Sequence, residues 1–409
     1  MILRDCNSTS KEKNMSWKLM ENNIPQDDLD HLCEFIKTNP ILTNSTKVRD
    51  FEQLWSEWAE VKHSVYINSG GTANLIALLV LRQKLINEGR DKKNLGEVIV
   101  SSLNWVTDIS SVMLCGFTPV FVDIDFDNMS MDHNEIYKKI NSNTQAVLLT
   151  HLMGFNAMSD ELKKTCEGNN VMLIEDCCES HGATYKERKI GSYGDMSCYS
   201  FYYGHHITTI EGGMVCTNDN EIFQMLRMFR SHGLVRECTD EAMKLKYFEQ
   251  NPEPAPEFVF AYPGFNFRGT EIGAVLGIRQ MKHIDRNIEI RRKNFELFLS
   301  LLDSTKYKTD FSVEGNSNFG LVIVLNEKDD NLMNGVMKVL EENKIACRRG
   351  VAGGGNQLRQ PYLKGENLGR PEDFPNADHI HYYSVYIGNH QNINEENIKD
   401  ICELLNGVE

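Results

Sequence analysis

Between residues 63 and 217, short apolar runs alternate with amphipathic stretches. HSVYIN (63–68), EVIVSS (97–102), PVFVDID (119–125), QAVLLT (145–150), NVMLIED (170–176), DMSCYSF (195–201) and GGMVCT (212–217) read as buried strands. Helical patterns lie between several of them, notably TANLIALLVLRQKLINEG after the first. This rhythm predicts an α/β fold, a large mostly parallel sheet covered on both faces. The last two runs lie close together and need not be parallel.

Beyond the strands, EQNPEPAPEFVF is Pro-rich and acidic, so 238–257 reads as an excursion across the surface. A helical stretch over roughly 270–303 follows, long enough to link two domains. After it come FGLVIVL, an amphipathic helix near 329–343 and the glycine-rich RRGVAGGGN, the pattern of a small α+β domain closing over the first. The expected organisation is a large domain over 15–280, a small C-terminal domain over 281–409 and an N-terminal extension over 1–14. Disorder is expected only in the first dozen residues.

Composition narrows the function classes. At 409 residues, 41% hydrophobic and 25% charged, the chain can bury a sizeable core. A net charge of −15 argues against broad nucleic-acid binding, which needs a basic face, but leaves room for a small anionic ligand. No apolar stretch approaches the roughly 20 residues of a membrane helix. The start, MILRDCNSTSKEKN, lacks the apolar segment of a secretory signal. Eleven cysteines without CxxC or CxC pairs point to reduced thiols and a cytoplasmic protein.

Four motifs carry candidate chemistry. NSGGTANL (68–75) follows a strand and opens a helix, so its glycines let backbone N–H groups approach a phosphate. It has neither a Walker lysine nor the GxGxxG spacing, and taken by itself a tight strand-to-helix turn is the better explanation. IEDCCESHGA (174–183) sets Asp176 at the carboxyl end of a buried strand, where open α/β sheets bind ligands. A protonated pyridine nitrogen is one partner for such a carboxylate, and Glu179 follows closely. NWVTD (104–108) offers Trp105 for stacking on an aromatic ring, or simply for the core. The fourth, SFYYGHHITTIEGG (200–213), holds adjacent histidines, which make poor joint metal ligands because neighbours in an extended segment point to opposite sides. No metal is expected.

Together with TKVRDFEQLWSEW, HLMGF, SHG and YPGFNFRGTEIGAVLG, these segments resemble the DegT-type sugar aminotransferase family of fold-type I pyridoxal-phosphate enzymes. The resemblance runs from about residue 17 to the C-terminus and implies the aspartate aminotransferase-like fold. It implies phosphate-holding roles for Gly71, Thr72 and Ser200, a ring-stacking Trp105, and Asp176 as partner of the pyridine nitrogen. Asn266 matches an asparagine that reaches the phosphate from a second subunit, which implies a homodimer with shared active sites.

The pattern breaks at one place. The family's aminotransferases carry a Schiff-base lysine where this chain has His205, and residues 198–213 contain no lysine. Imidazole cannot replace a primary amine in that bond. The sequence is similar to the branch of coenzyme-B6-dependent sugar 3-dehydratases, and most similar to the enzyme type acting on GDP-4-keto-6-deoxymannose. It shares that type's HHI-x-T-x-EGG and ED-x-CES-x-GA patterns and a late GNHQ (388–391). A CDP-sugar type also has the histidine pair but binds an iron–sulfur cluster through closely spaced cysteines. Here Cys238 stands alone, so no cluster is expected.

The resemblance implies pyridoxal 5′-phosphate or pyridoxamine 5′-phosphate held without a covalent tether. His205 would act as general base and return a proton to the departing 3-hydroxyl. The product would be a 4-keto-3,6-dideoxy sugar of the kind used in lipopolysaccharide O-antigens, and L-glutamate would regenerate the amine. Glu179 would orient His205 or the substrate, His206 would be structural or touch substrate, and Arg348 would meet the nucleotide diphosphate or stay solvated. Two alternatives remain: a pseudoenzyme that only binds cofactor or sugar nucleotide, and an aminotransferase using a remote lysine.

Overall fold

The structure, a computed structural model, describes residues 17–409; the expected N-terminal extension and its disorder lie outside the described residues. Twelve strands form three sheets among the described residues: β1 (His63–Ile67), β2 (Glu97–Ser101), β3 (Thr118–Val122), β4 (Thr144–Thr150), β5 (Met172–Asp176), β6 (Thr184–Tyr185), β7 (Arg188–Lys189), β8 (Met196–Ser200), β9 (Gly213–Thr217), β10 (Gly320–Val324), β11 (Cys347–Arg349) and β12 (Ser384–Gly388). The large sheet runs β1-β9-β8-β5-β4-β2-β3. Its neighbours from β8 to β3 pair in parallel, and β9 is antiparallel to both β1 and β8. Each apolar run over 63–217 contains one strand of this sheet.

The period of the strands explains why both faces are buried. Val98, Val100, Ala146 and Leu148 belong to one apolar cluster, while Ile99, Val147 and Leu149, one residue out of phase, belong to another. On the first face the helix Gly70–Asn87 packs over β8 and β9 and against the helix Val106–Leu114. On the second, the helix Thr46–Ala59 packs on β1 and against the helix Glu271–Gln280. That last pair approaches closely enough to require glycine: a Cβ on Gly277 would lie 2.5 Å from the Phe51 ring.

The C-terminal part holds the antiparallel sheet β10-β12-β11 with the helices Asp330–Glu342 and Glu395–Asn406. The stretch over 270–303 is two helices rather than one, Glu271–Gln280 and Ile284–Leu301. No Gly or Pro causes the break at 281–283. The first helix stays on the Thr46–Ala59 helix, whereas the second packs against Glu395–Asn406 beside the small sheet. The Pro-rich excursion contains a short helix, Glu241–Gln250, capped by Asp240 and burying none of its side chains. The chain at Trp17 also lies by the small sheet, where Trp17 bridges Ile345 and its indole donates to the Gly388 carbonyl at 3.0 Å. All ten cysteines among the described residues are free thiols. No helix among those residues is long and apolar enough to cross a membrane.

Candidate active site

The carboxyl ends of the parallel strands meet the small sheet around a cavity of about 710 Å³. Gly70, Gly71, Trp105, Asp176, Glu179, Ser200 and His205 line it from the large sheet, and Arg348 lines it from β11. These residues are scattered along the sequence, and the order of the strands brings them together.

At one end, Ser69 caps the helix Gly70–Asn87 by accepting from the Thr72 N–H. The Gly70 position tolerates no side chain, because a Cβ there would lie 2.4 Å from Ser200 Cβ. The helix start and the Ser200 hydroxyl therefore sit together, a cup suited to a phosphate. Thr72 takes no part in the lining: its hydroxyl donates to Asn68 Oδ1 at 2.6 Å. Trp105, at the N-cap of the next helix, is 46% exposed, so its ring is available to stack.

Asp176 ends β5 and is buried. One oxygen accepts from the Cys178 N–H at 2.8 Å and the other from Asn74 Nδ2 at 2.7 Å. The same Asn74 nitrogen also donates to Asp108, whose second oxygen accepts from the Thr150 hydroxyl at 2.7 Å. Two carboxyl groups thus share one amide, and neither forms an ion pair with a described cation. Burial first, and then the Asp176 charge, push Asp108 well above the usual carboxylate range. This arrangement suits a cationic group placed at Asp176. The sequence reading missed Asp108 and Asn74; the only local signal for Asp108 was an acid in the first turn of a helix.

His205 lines the cavity, with its ring 5.2 Å from Phe319 and 6.0 Å from His181 between centroids. Its carbonyl accepts from Asn23 at 3.4 Å and from the Arg291 guanidinium at 3.5 Å. Burial lowers the imidazole to about 4 against the opposing pull of Asp176, with Arg291 adding to the lowering. The ring is therefore neutral near pH 7, the state a base requires. His206 turns away: it is buried, bonds Ser317 O at 3.1 Å and Ser317 Oγ at 3.0 Å, and does not line the cavity. The geometry favours the structural half of its sequence reading over contact with substrate.

Glu179 accepts from the Met153 N–H at 2.8 Å through Oε2. Burial, with a contribution from Asp176, raises it to about 7 despite the Met153 bond and Arg348. Met153 holds a φ of 53°, and a Cβ on the next residue, Gly154, would sit 1.9 Å from Ser317 O. The HLMGF turn is thus shaped to present that N–H. Arg348 donates to the Tyr386 hydroxyl at 3.4 Å across the same wall. Asn266 is exposed, accepts from the Arg268 N–H at 3.1 Å and does not line this chain's cavity.

Two other features bear on the chemistry. Lys18 is the lysine of the lining, with its side chain 63% exposed and 3.7 Å from Glu21. His151, Glu175 and Cys177 lie close enough to ligate a metal, but Glu175 already accepts from Gly191, Tyr193 and Gly194 N–H groups and contacts His151, which in turn accepts from the Ala157 N–H. The Glu175 carboxylate and the His151 ring are thus already bonded within the fold. Cys238 Sγ donates to the Asp240 carbonyl at 3.4 Å.

Comparison with known proteins finds relatives along the length of the chain. A GDP-4-keto-6-deoxy-D-mannose 3-dehydratase of Yersinia pseudotuberculosis is 31% identical over 394 residues, covering 96% of this chain and 98% of the relative. A GDP-perosamine synthase of Caulobacter vibrioides is 30% identical over 323 residues, covering 78% and 80%. The solved structure of the Escherichia coli GDP-4-keto-6-deoxy-D-mannose-3-dehydratase, with bound hydrated PLP, superimposes with a TM-score of 0.84 at 26% identity, covering 96% of this chain and 99% of that one. Residues 22–406 match the family profile, and the chain belongs to the DegT/DnrJ/EryC1/StrS aminotransferase family.

Proposed function

We propose that this chain is a coenzyme-B6-dependent 3-dehydratase acting on a GDP-linked 4-keto-6-deoxy sugar and yielding a 4-keto-3,6-dideoxy sugar. The observation that carries the reading is His205, a buried imidazole lining the cavity, at the position that the sequence resemblance gives to the family's lysine. The residues fit the cofactor. The Gly70 cradle and Ser200 suit its phosphate, Trp105 its ring, and Asp176, buried without a cation, its protonated nitrogen. Bound pyridoxamine phosphate would supply an amine for the sugar's keto group and a ring that accepts electrons. His205 removes the proton, Asp176 holds a positive charge at the ring nitrogen, and Arg348 attracts the nucleotide diphosphate.

L-Glutamate is the amino donor in this reading. The functional unit is a cytoplasmic homodimer in which Asn266, exposed on this chain, meets the partner's cofactor phosphate. The similarity to perosamine synthases keeps amine transfer as a second reading, and among the described residues Lys18 is the lysine that lines the cavity.

The test incubates the protein with pyridoxamine phosphate, L-glutamate and a panel of GDP- and CDP-linked 4-keto-6-deoxy sugars. Ammonia release with a deoxygenated GDP-sugar is expected. A 4-amino sugar, with cofactor trapped on Lys18 by borohydride, would establish amine transfer instead. Binding without turnover of any substrate would leave a pseudoenzyme.

A further inference from the structure

Behind Asp176, and outside the cavity lining, lies a second carboxyl group. Asp108 comes from the first turn of the helix Val106–Leu114 and is fully buried. Its oxygens accept from Asn74 Nδ2 and from the Thr150 hydroxyl, the latter at 2.7 Å, and its carboxyl also meets that of Asp176 directly. No described cation bonds either group. Two buried carboxyls in contact do not both ionise, so the pair holds one proton and carries one negative charge. Their surroundings decide which of them bears the proton. Asp176 lines the cavity and accepts a backbone N–H from Cys178 at 2.8 Å, whereas Asp108 is enclosed on every side.

With the cofactor ring placed at Asp176 as in the reading above, we propose that Asp108 is a positioning residue for that ring: it keeps the pair's single proton and donates it in a hydrogen bond to Asp176, which meets the protonated ring nitrogen as a carboxylate. A carboxylate has about four lone-pair sites. On Asp176 the Cys178 N–H, the Asn74 amide and the Asp108 O–H take three of them, leaving one for a donor arriving from the cavity. A hydrogen bond donated to a carboxylate favours its charged form. Asp108 therefore keeps Asp176 from taking the ring's proton, and one negative charge faces one positive charge. Without the Asp108 O–H, Asp176 is a buried carboxylate free to take that proton itself.

The electrostatics point the same way. Burial, followed by the Asp176 charge, favours the protonated form of Asp108, and the Thr150 and Asn104 side chains oppose it with smaller effect. The titratable groups around Asp108 are Asp176 at the end of β5, Cys178 just past it, Cys198 on β8 and Tyr362, and none of them carries a positive charge.

The test binds pyridoxamine phosphate, labelled with nitrogen-15 in its ring, to wild type, Asp108→Asn and Asp108→Leu, and reads the ring nitrogen by NMR without any substrate. Wild type is expected to show the protonated nitrogen. Asp108→Asn, neutral and able to donate an amide N–H in place of the acid O–H, should match it. Asp108→Leu, of similar size but with no donor, should move the signal toward the unprotonated position. A merely structural role would leave that signal where it is, so an unshifted signal in Asp108→Leu, or an equal shift in Asp108→Asn, would overturn the assignment. An unprotonated nitrogen in wild type would instead sink the placement of the ring at Asp176, so the two failures are distinct. A second measurement needs neither cofactor nor the leucine variant, should that one fail to fold. The wild-type minus Asp108→Asn infrared difference of the unloaded protein should contain a protonated carboxyl C=O band at pH 7, and its absence would overturn the assignment.

Discussion

Replacing Asp108 with asparagine tests the paired carboxyls under the site through stability alone. In the folded chain Asp108 keeps its proton well above the usual range, whereas in the unfolded chain it ionises near pH 4. Between those values the folded state binds one more proton than the unfolded state. Its stabilising effect is complete at low pH and is lost as pH rises, at about 1.4 kcal/mol per pH unit while the difference persists. The substituted amide would keep an acceptor for Thr150 and carry no proton to lose. The groups around Asp108 are Asp176, Asn74, Thr150, Asn104, Cys178, Cys198 and Tyr362, none of them cationic. Urea unfolding at pH 4.5, 5.5, 6.5 and 7.5, on wild type and Asp108→Asn, measures the difference directly. The variant should gain on wild type as pH rises, by up to about 1.4 kcal/mol per unit for as long as the folded chain holds the extra proton. Parallel stability curves would show that Asp108 is ionised in the folded chain and refute the reasoning.

Further outcomes follow from the same geometry. Gly70→Ala places a methyl 2.4 Å from Ser200 Cβ, so it should cost about 1–3 kcal/mol in urea unfolding and weaken pyridoxamine phosphate binding by titration; unchanged affinity would remove the Gly70–Ser200 cup from the phosphate role. Trp105→Ala should leave stability nearly unchanged, because the ring is half exposed, yet weaken cofactor binding by the ~0.5–1.5 kcal/mol of a ring contact. His205→Lys should form a borohydride-trappable bond to pyridoxal phosphate that wild type lacks, and should release little ammonia from the keto sugar; continued dehydration at the wild-type rate would free His205 from its role.

Much of this architecture is legible in local pattern. Strands buried on both faces are near-continuous apolar runs, so β4 and β5 announce themselves, and a ligand site at their carboxyl ends follows from α/β topology. What the chain hides are pairings over long separations. Asn74, Asp108 and Thr150 meet at Asp176 only because β2, β4 and β5 lie side by side behind one helix start. Arg291 looks like part of a charged helix face, yet it is fully buried, lowered to about 9 by that burial, and donates to Phe319 O at 3.1 Å behind His205. For His206 the sequence left a structural role and substrate contact both open, and the bonds to Ser317, 111 positions away, place it in the fold instead of the cavity lining. Lys18 enters the lining because the chain near Trp17 pairs with Ile345, 328 positions away (345 − 17).

The measurement closest to the central claim follows the proton itself. Protein, pyridoxamine phosphate and GDP-linked 4-keto-6-deoxy sugar are mixed in deuterated solvent, and exchange at the cofactor's 4′ carbon is read by mass spectrometry for wild type and His205→Asn. The account predicts exchange accompanied by deoxygenated sugar in wild type, and neither in the variant, whose cofactor affinity should be retained. Exchange at equal rates in both proteins would contradict it, because some other group would then be moving the proton assigned to His205.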